Sequence, residues 1–244
     1  MRKLRFKLML WCLPVLIGLS SCEDFPWEEA VGGVTDSEVV AGLKQALAVG
    51  TDTAVTRLNK TDGFYGDQAV KILLPEEAQP VYDVLNLLPT NLVEDNILAI
   101  NRAAEDAARE ATPIFVDAIT NLTIDDGWEI LNGEDSAATN YLRRNTRQQL
   151  FDVFQPKIDV SLSKDLVLGL SANDLYSNLI SVYNKASLNG FLFDEIQTNS
   201  LSEHTTDRAL RGLFMKVRDE EKLIRTDASH RVTDLLEKVF AEQD

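Results

Sequence analysis

Cysteine and histidine are scarce in this chain, with two of each in 244 residues. Cys12 falls in a leader expected to be removed, so only Cys22 is expected to remain, which excludes an intramolecular disulfide, a C-x-x-C redox pair and a Cys-built zinc site. His204 and His230 both fall near the C-terminus. Asp227 and His230 have the i, i+3 spacing of one half of a di-iron helical site. Leu201 stands at the same offset from His204, so the second half is missing. Asp219, Glu220 and Glu221 lack the twelve-residue pattern with a central Gly that a calcium loop requires. Basic residues are also few, 24 against 39 acidic, for a formal net charge of −15. Phosphate backbones are held by Lys/Arg clusters, and the longest basic run here is Arg143-Arg144, so nucleic acid is not an expected partner. No Gly-x-Ser-x-Gly elbow, phosphate loop or dinucleotide fingerprint occurs, and no cofactor is expected.

A long apolar run is missing too. The longest, Leu8 to Leu19, falls short of the roughly 20 residues a membrane-spanning helix needs. It follows Arg2, Lys3, Arg5 and Lys7 and ends in Leu19-Ser20-Ser21-Cys22. A basic head, a short apolar stretch and small residues before the cut make residues 1–21 a secretory signal peptide. An aliphatic residue, two small residues and Cys resemble the bacterial lipobox. That resemblance implies a diacylglycerol thioether on Cys22 and an acylated amino terminus, an anchor that several chains make effectively permanent at about 0.8 kcal/mol per buried CH₂. The expected location is the envelope of a Gram-negative bacterium, on the outer membrane. Glu23-Asp24 resembles the surface-export signal of Bacteroidota lipoproteins and equally suits a solvated linker, so the side of the membrane stays open. Without the leader, the chain from Cys22 carries 20 basic and 39 acidic residues, net −19. Residues 22–34 read as an acidic linker reaching about 40 Å when extended.

Residues 35–244 read as one all-α domain, a multi-helix orthogonal or bundle-like array. Thr35 and Glu38 form a capping box for a helix over 36–59, with Gly50 on its packing stripe. Lys60 to Leu74 breaks the helical period, and a short extended segment is expected near 70–74. Pro75 opens a helix over 76–88. From about 91 an Ala-rich stripe implies a close helix–helix approach, with Pro113 ending or kinking the helix. Thr123 caps a short helix ended by Asn132-Gly133. A long helix over 135–154 is interrupted by Pro156. Pieces near 157–168 and 172–187 follow, then helices over 201–225 and 229–241, the last burying Val232.

Several blocks together carry a resemblance. They are Gly42 to Leu47, Thr61-Asp62-Gly63-Phe64-Tyr65, Asn101 to Glu105, Pro113-Ile114-Phe115, Ala137 to Arg143, Gly212-Leu213-Phe214, Glu221, Ile224-Arg225 and Thr233 to Leu236. In combination they resemble an uncharacterised family of bacterial exported, often lipid-anchored, all-helical proteins, a domain of unknown function. The resemblance covers about residues 36–240 and is weakest over 155–200. It implies fold and location and brings no activity.

Polar residues clustered on helices are the candidate site. Asn101, Arg102 and Glu105 share a helix as i, i+3 and i, i+4 neighbours; Tyr141, Arg143, Asn145 and Thr146 share another, where Asn145 and Thr146 interrupt the apolar stripe; and Glu220 or Glu221 interrupts a third between Val217 and Ile224. A buried charge must find a partner, so Glu221 is expected to pair with Arg102 or Arg143. Such a cluster is either a salt-bridge network fixing helix register or a polar pocket with an Arg for an anionic group. The expected function is a non-catalytic envelope module binding a partner protein or a small ligand. The alternative is a hydrolase or transferase using carboxylates and Arg between helices. A pocket with two carboxyls of shifted pKa favours the enzyme; an apolar groove without that pair favours the binding module.

Overall fold

Thr35 closes its capping box as expected. Its hydroxyl accepts from the Glu38 N–H at 3.3 Å, and its own N–H donates to Glu38 Oε2 at 3.0 Å. This starts helix α1, Asp36–Leu58, which runs through Gly50 without a break. The structure is a computed structural model and describes residues 34–85, 91–167, 169–186, 188, 191–192, 194–196 and 200–241. The expected leader, Cys22 and all of the linker but Val34 lie outside the described residues. A 3-10 turn, Glu76–Ala78, leads into α2, Gln79–Leu85. There follow α3 (Leu92–Ala108), α4 (Ala111–Thr120), α5 (Ile124–Leu131), α6 (Ala137–Leu162), α7 (Ala172–Ala186), α8 (Leu201–Thr226) and α9 (Asp234–Phe240). The chain from Val34 onward is a single all-α domain. Among the described residues its only strands are an antiparallel pair before α7, β1 (Asp165–Val167) and β2 (Leu170–Ser171).

The middle of the domain is built on α8, which packs along α6 and α1 and touches α3. The Ala-rich stripe of α3 does what small side chains permit. Ala103, Ala104, Ala107 and Ala108 are all buried, and α3 lies against α6 and α8. Phe115 of α4 meets Phe214 of α8 edge to face, ring centroids 6.1 Å apart.

Two prolines act differently from expectation. Pro156 does not interrupt α6, which continues to Leu162. A mid-helix Pro costs about 3 kcal/mol or more. Phe154, Ile158 and Leu162 are completely or almost completely buried around it. At about 1.5–3 kcal/mol each they outweigh that cost. Pro113 neither ends nor kinks the Ala-rich helix. That helix stops at Ala108, and Pro113 sits in the first turn of α4, where its missing N–H has no partner to lose.

The C-terminal helix is shorter than expected. Ala228–His230 is a 3-10 turn, and Thr233 caps α9 by accepting from the Leu236 N–H. Val232 lies in the break and is 65% exposed, so α9 buries Leu236, Val239 and Phe240 without it. The segment Lys71–Pro75 is not helical and joins no strand ladder. Its backbone finds a side chain instead.

Candidate functional site

The stretch after α1 turns back sharply over that helix's own C-terminal carbonyls. A Cβ on Gly63 would stand 2.5 Å from the carbonyl oxygens of Arg57 and Leu58, so only glycine fits. Asp62 takes a left-handed backbone, φ 66°, which Asp tolerates better than most residues. The returning chain then docks on α3. Glu105 is almost fully buried, and its Oε1 accepts from the N–H groups of Phe64 at 3.1 Å and Tyr65 at 3.2 Å. Arg102 bridges Glu105 Oε2 at 2.6 Å and Asp62 Oδ1 at 2.7 Å. Phe64 enters the core beside α8, where a Cβ on Gly212 would come within 2.8 Å of its ring. The Asp-Gly-Phe-Tyr block is thus a docking loop, each member with a mechanical reason.

Asn101 holds the next segment. Its Oδ1 accepts from the Ile72 N–H at 2.9 Å, and its Nδ2 donates to the carbonyls of Ile72 at 2.8 Å and Ile97 at 2.7 Å. One fully buried amide therefore replaces a neighbouring strand for residue 72. Tyr65 donates to Glu94 on α3, and Lys71 Nζ lies 4.1 Å over the Tyr65 ring. The aromatic and its carboxylate fix the position of Lys71.

Glu221 forms a separate knot at the other side of α8. Its two oxygens accept from the first N–H groups of α6, Ala138 at 2.9 Å and Thr139 at 2.8 Å, and from the Thr139 hydroxyl at 2.7 Å. A carboxylate at a helix N-terminus satisfies orphan donors and complements the dipole. Arg225, one turn on, donates through Nε to Glu221 at 3.1 Å and through Nη2 to the Ile130 carbonyl at the end of α5 at 2.8 Å. Glu221 therefore pairs with neither Arg102 nor Arg143. The i, i+4 partner on its own helix is nearer and links two other helix ends. The adjacent Glu220 pairs with Arg57 of α1.

The candidate residues do not converge. Asn101, Arg102 and Glu105 act together on residues 59–72, and Glu221 acts with Arg225. Arg143 is exposed, its guanidinium 5.3 Å from the Phe214 ring. Thr146 is buried and donates back to the Leu142 carbonyl at 2.7 Å. Tyr141 is buried, which pushes its phenol above the usual value, with Asp126 adding to the effect and Arg144 opposing it. Among the described residues no three His, Cys, Asp or Glu side chains gather as metal ligands. Asp227 and His230 make an exposed pair at 3.1 Å, and Asp227 also caps the 3-10 turn through Ser229.

The open site lies elsewhere. A cavity of about 380 Å³ is bounded by the 71–74 segment, the start of α2, α3 and the first turns of α8. Leu74, Val93 and Ile97 give it apolar wall, and Lys71, Glu76, Gln79, Tyr82, His204 and Arg208 bring the polar groups. His204 Nε2 lies 2.9 Å from the Leu73 carbonyl. A carbonyl only accepts, so Nε2 carries the proton. Burial holds the imidazole below its usual pKa, so the ring is neutral and Nδ1 is a free acceptor. Tyr82 is 98% buried, and burial, with a smaller contribution from Tyr176, raises its phenol so that it stays a protonated donor. Arg208 is exposed and makes no hydrogen bond or ion pair among the described residues.

Two other cavities contrast with it. The one beside Glu221 and Arg225 measures about 20 Å³, room for one water. One of about 440 Å³ lies against α7 and the start of α8, where Asn173 is already engaged with Asp159 and Ser163.

The link between cavity and sequence is indirect. Asn101 is legible as one of a polar group on a single helix, and it pins Ile72, whose neighbours Lys71, Leu73 and Leu74 line the cavity. The lining residues carried no spacing signal, because they come from four separated segments.

No curated protein and no solved structure matches the chain. Residues 33–241 match a family model described as a protein of unknown function, DUF4197. That span takes in the docking loop, both buried polar clusters and every residue lining the open cavity, and the chain belongs to this family.

Proposed function

We propose that the protein is a lipid-anchored module of the bacterial envelope, held on the outer membrane through Cys22, whose helical domain binds a small ligand without transforming it. The anchor rests on the basic, short apolar leader closing in Leu19-Ser20-Ser21-Cys22. Metabolic labelling with an alkyne-tagged palmitate tests it. Label is expected on the native chain and absent from Cys22→Ser; equal labelling of both would remove the anchor.

The observation that carries the binding reading is the makeup of the 380 Å³ cavity. Its size lies in the range of about 300–1,000 Å³ typical of small-molecule sites, with apolar walls and a few polar groups. Glu76 is the one acid on its lining. Acid–base chemistry on carboxylates needs a pair with separated pKa values, and no such pair lines it among the described residues. The buried carboxylates among the described residues, Glu105, Glu220 and Glu221, are held by backbone N–H groups or Arg and do not line this cavity. The test is affinity capture of the lipidated protein from its own envelope, followed by metabolite analysis of the eluate. A small molecule should accompany the native chain and be lost from Val93→Trp, which fills the cavity. An eluate indistinguishable from that of the filled variant would sink the ligand-binding reading.

A further inference from the structure

We infer that this cavity selects a small organic anion, a carboxylate on an apolar body, with Arg208 as the group that receives the charge. The inference rests on the ligand-binding reading above and adds the chemical class. Across the chain the charge is −15, which by itself repels anions. The cavity wall reverses that sign, with Lys71 and Arg208 against Glu76 alone. The two cations are not equivalent. Lys71 is already held by Tyr65 and lies 3.6 Å from Glu94. Arg208 has no partner among the described residues, although most arginines of the domain have one. Its planar fork matches a carboxylate through two parallel N–H···O bonds.

The remaining polar groups sharpen the class. Tyr82 offers an O–H donor that stays protonated. His204 offers an acceptor, since its Nε2–H is tied to Leu73. Leu74, Val93 and Ile97 supply the surface for the apolar body. A bare inorganic ion would leave those walls wet, and a neutral apolar molecule would gain nothing from the exposed guanidinium of Arg208. An anion with a short hydrocarbon or aromatic body uses both.

The test is isothermal titration of the full chain, in nonionic detergent at pH 7.5, with matched carboxylate and amide probes. Benzoate, 3-phenylpropionate and hexanoate are each paired with the corresponding primary amide. A carboxylate takes both N–H···O bonds of the fork and adds charge–charge attraction that a primary amide lacks, so at least one carboxylate should bind about tenfold or more tightly than its amide. Arg208→Gln should erase that preference, weakening the carboxylate more than the amide, and Val93→Trp should abolish binding of both. Equal affinity of acid and amide, both lost in Val93→Trp, would overturn the anion inference and leave the small-ligand reading standing. A preference that survives Arg208→Gln would overturn the role of that arginine. No binding by any of the six probes would overturn the inference and count against the ligand reading as well.

Discussion

Arg225 and Arg208 sit on the same helix, less than five turns apart, and differ in almost every respect that matters. Arg225 is buried and engaged with Glu221 and the end of α5. Arg231 nearby is also buried, donating to the carbonyls of Ile224 and Arg225 at the end of α8. Arg208 stands exposed on a cavity wall with no partner among the described residues. A buried guanidinium must be matched by acceptors from the outset, because an unmatched charge costs several kcal/mol. It therefore reports on folding. An exposed, unmatched one costs nothing to leave free, so it can be reserved for a ligand. On the ligand-binding proposal, the same residue type marks architecture at one end of α8 and recognition at the other.

The comparison breaks most visibly at Glu221. Glu221→Ala strands Arg225 in the interior and leaves two N–H groups of α6 without an acceptor. Removing one member of a buried pair typically costs about 3–5 kcal/mol. Urea unfolding of the variant should show that loss as a lower midpoint with an unchanged slope. A loss below about 1 kcal/mol would mean the knot is no more than a surface-grade ion pair.

Asn101→Ala should come next, at about 2–4 kcal/mol, since it leaves the buried N–H and carbonyl of Ile72 unsatisfied. It should also weaken probe binding at the cavity, because the freed segment carries Lys71, Leu73 and Leu74. Stability loss with unaltered binding would uncouple the clamp from the cavity. Arg102→Gln lies lower still. Arg102 is about one-third exposed, and Glu105 keeps its bonds to Phe64 and Tyr65 without it. The cost should stay below about 1 kcal/mol and shrink further in high salt. A salt-independent loss of several kcal/mol would place Arg102 with Arg225 instead.

What was legible in the sequence follows from which forces are local. Caps and periodic stripes are local, and so α1, α5 and α8 were readable nearly to the residue. Pro156 misled because its cost is local, whereas what offsets it, the burial of Phe154, Ile158 and Leu162, depends on helices far along the chain. Thr146 and Glu221 stand out as interruptions of apolar stripes and Asn101 and Glu105 as polar neighbours on one helix, and all four are buried. Their partners were not readable. Nothing in the spacing says that Glu105 would bind the backbone of a loop 40 residues earlier, or that Glu221 would cap a different helix. Arg208, His204 and Tyr82 left no mark, since a cavity wall drawn from four segments has no period.

The smallest expected effect tests the recognition end without a ligand. His204 is half-buried against Leu73, and burial lowers its pKa below the ordinary value of about 6.5. Arg208 works in the same direction, while the Leu73 carbonyl, Glu77 and Asp207 work against it. Lys71 and Glu76 line the same cavity. Between the depressed folded value and 6.5 the unfolded chain binds more protons at this position than the folded one. Stability therefore falls as pH drops through that window and levels off below the folded pKa. The native chain should lose stability gradually below about pH 6.5, and His204→Gln, which keeps a donor for Leu73, should show a flatter profile there. Arg208→Gln should reduce the slope as well, because removing a neighbouring cation lets the imidazole titrate closer to its ordinary value. Identical slopes in all three proteins would mean that His204 does not sense the cavity, and that the charge on Arg208 is felt only by solvent.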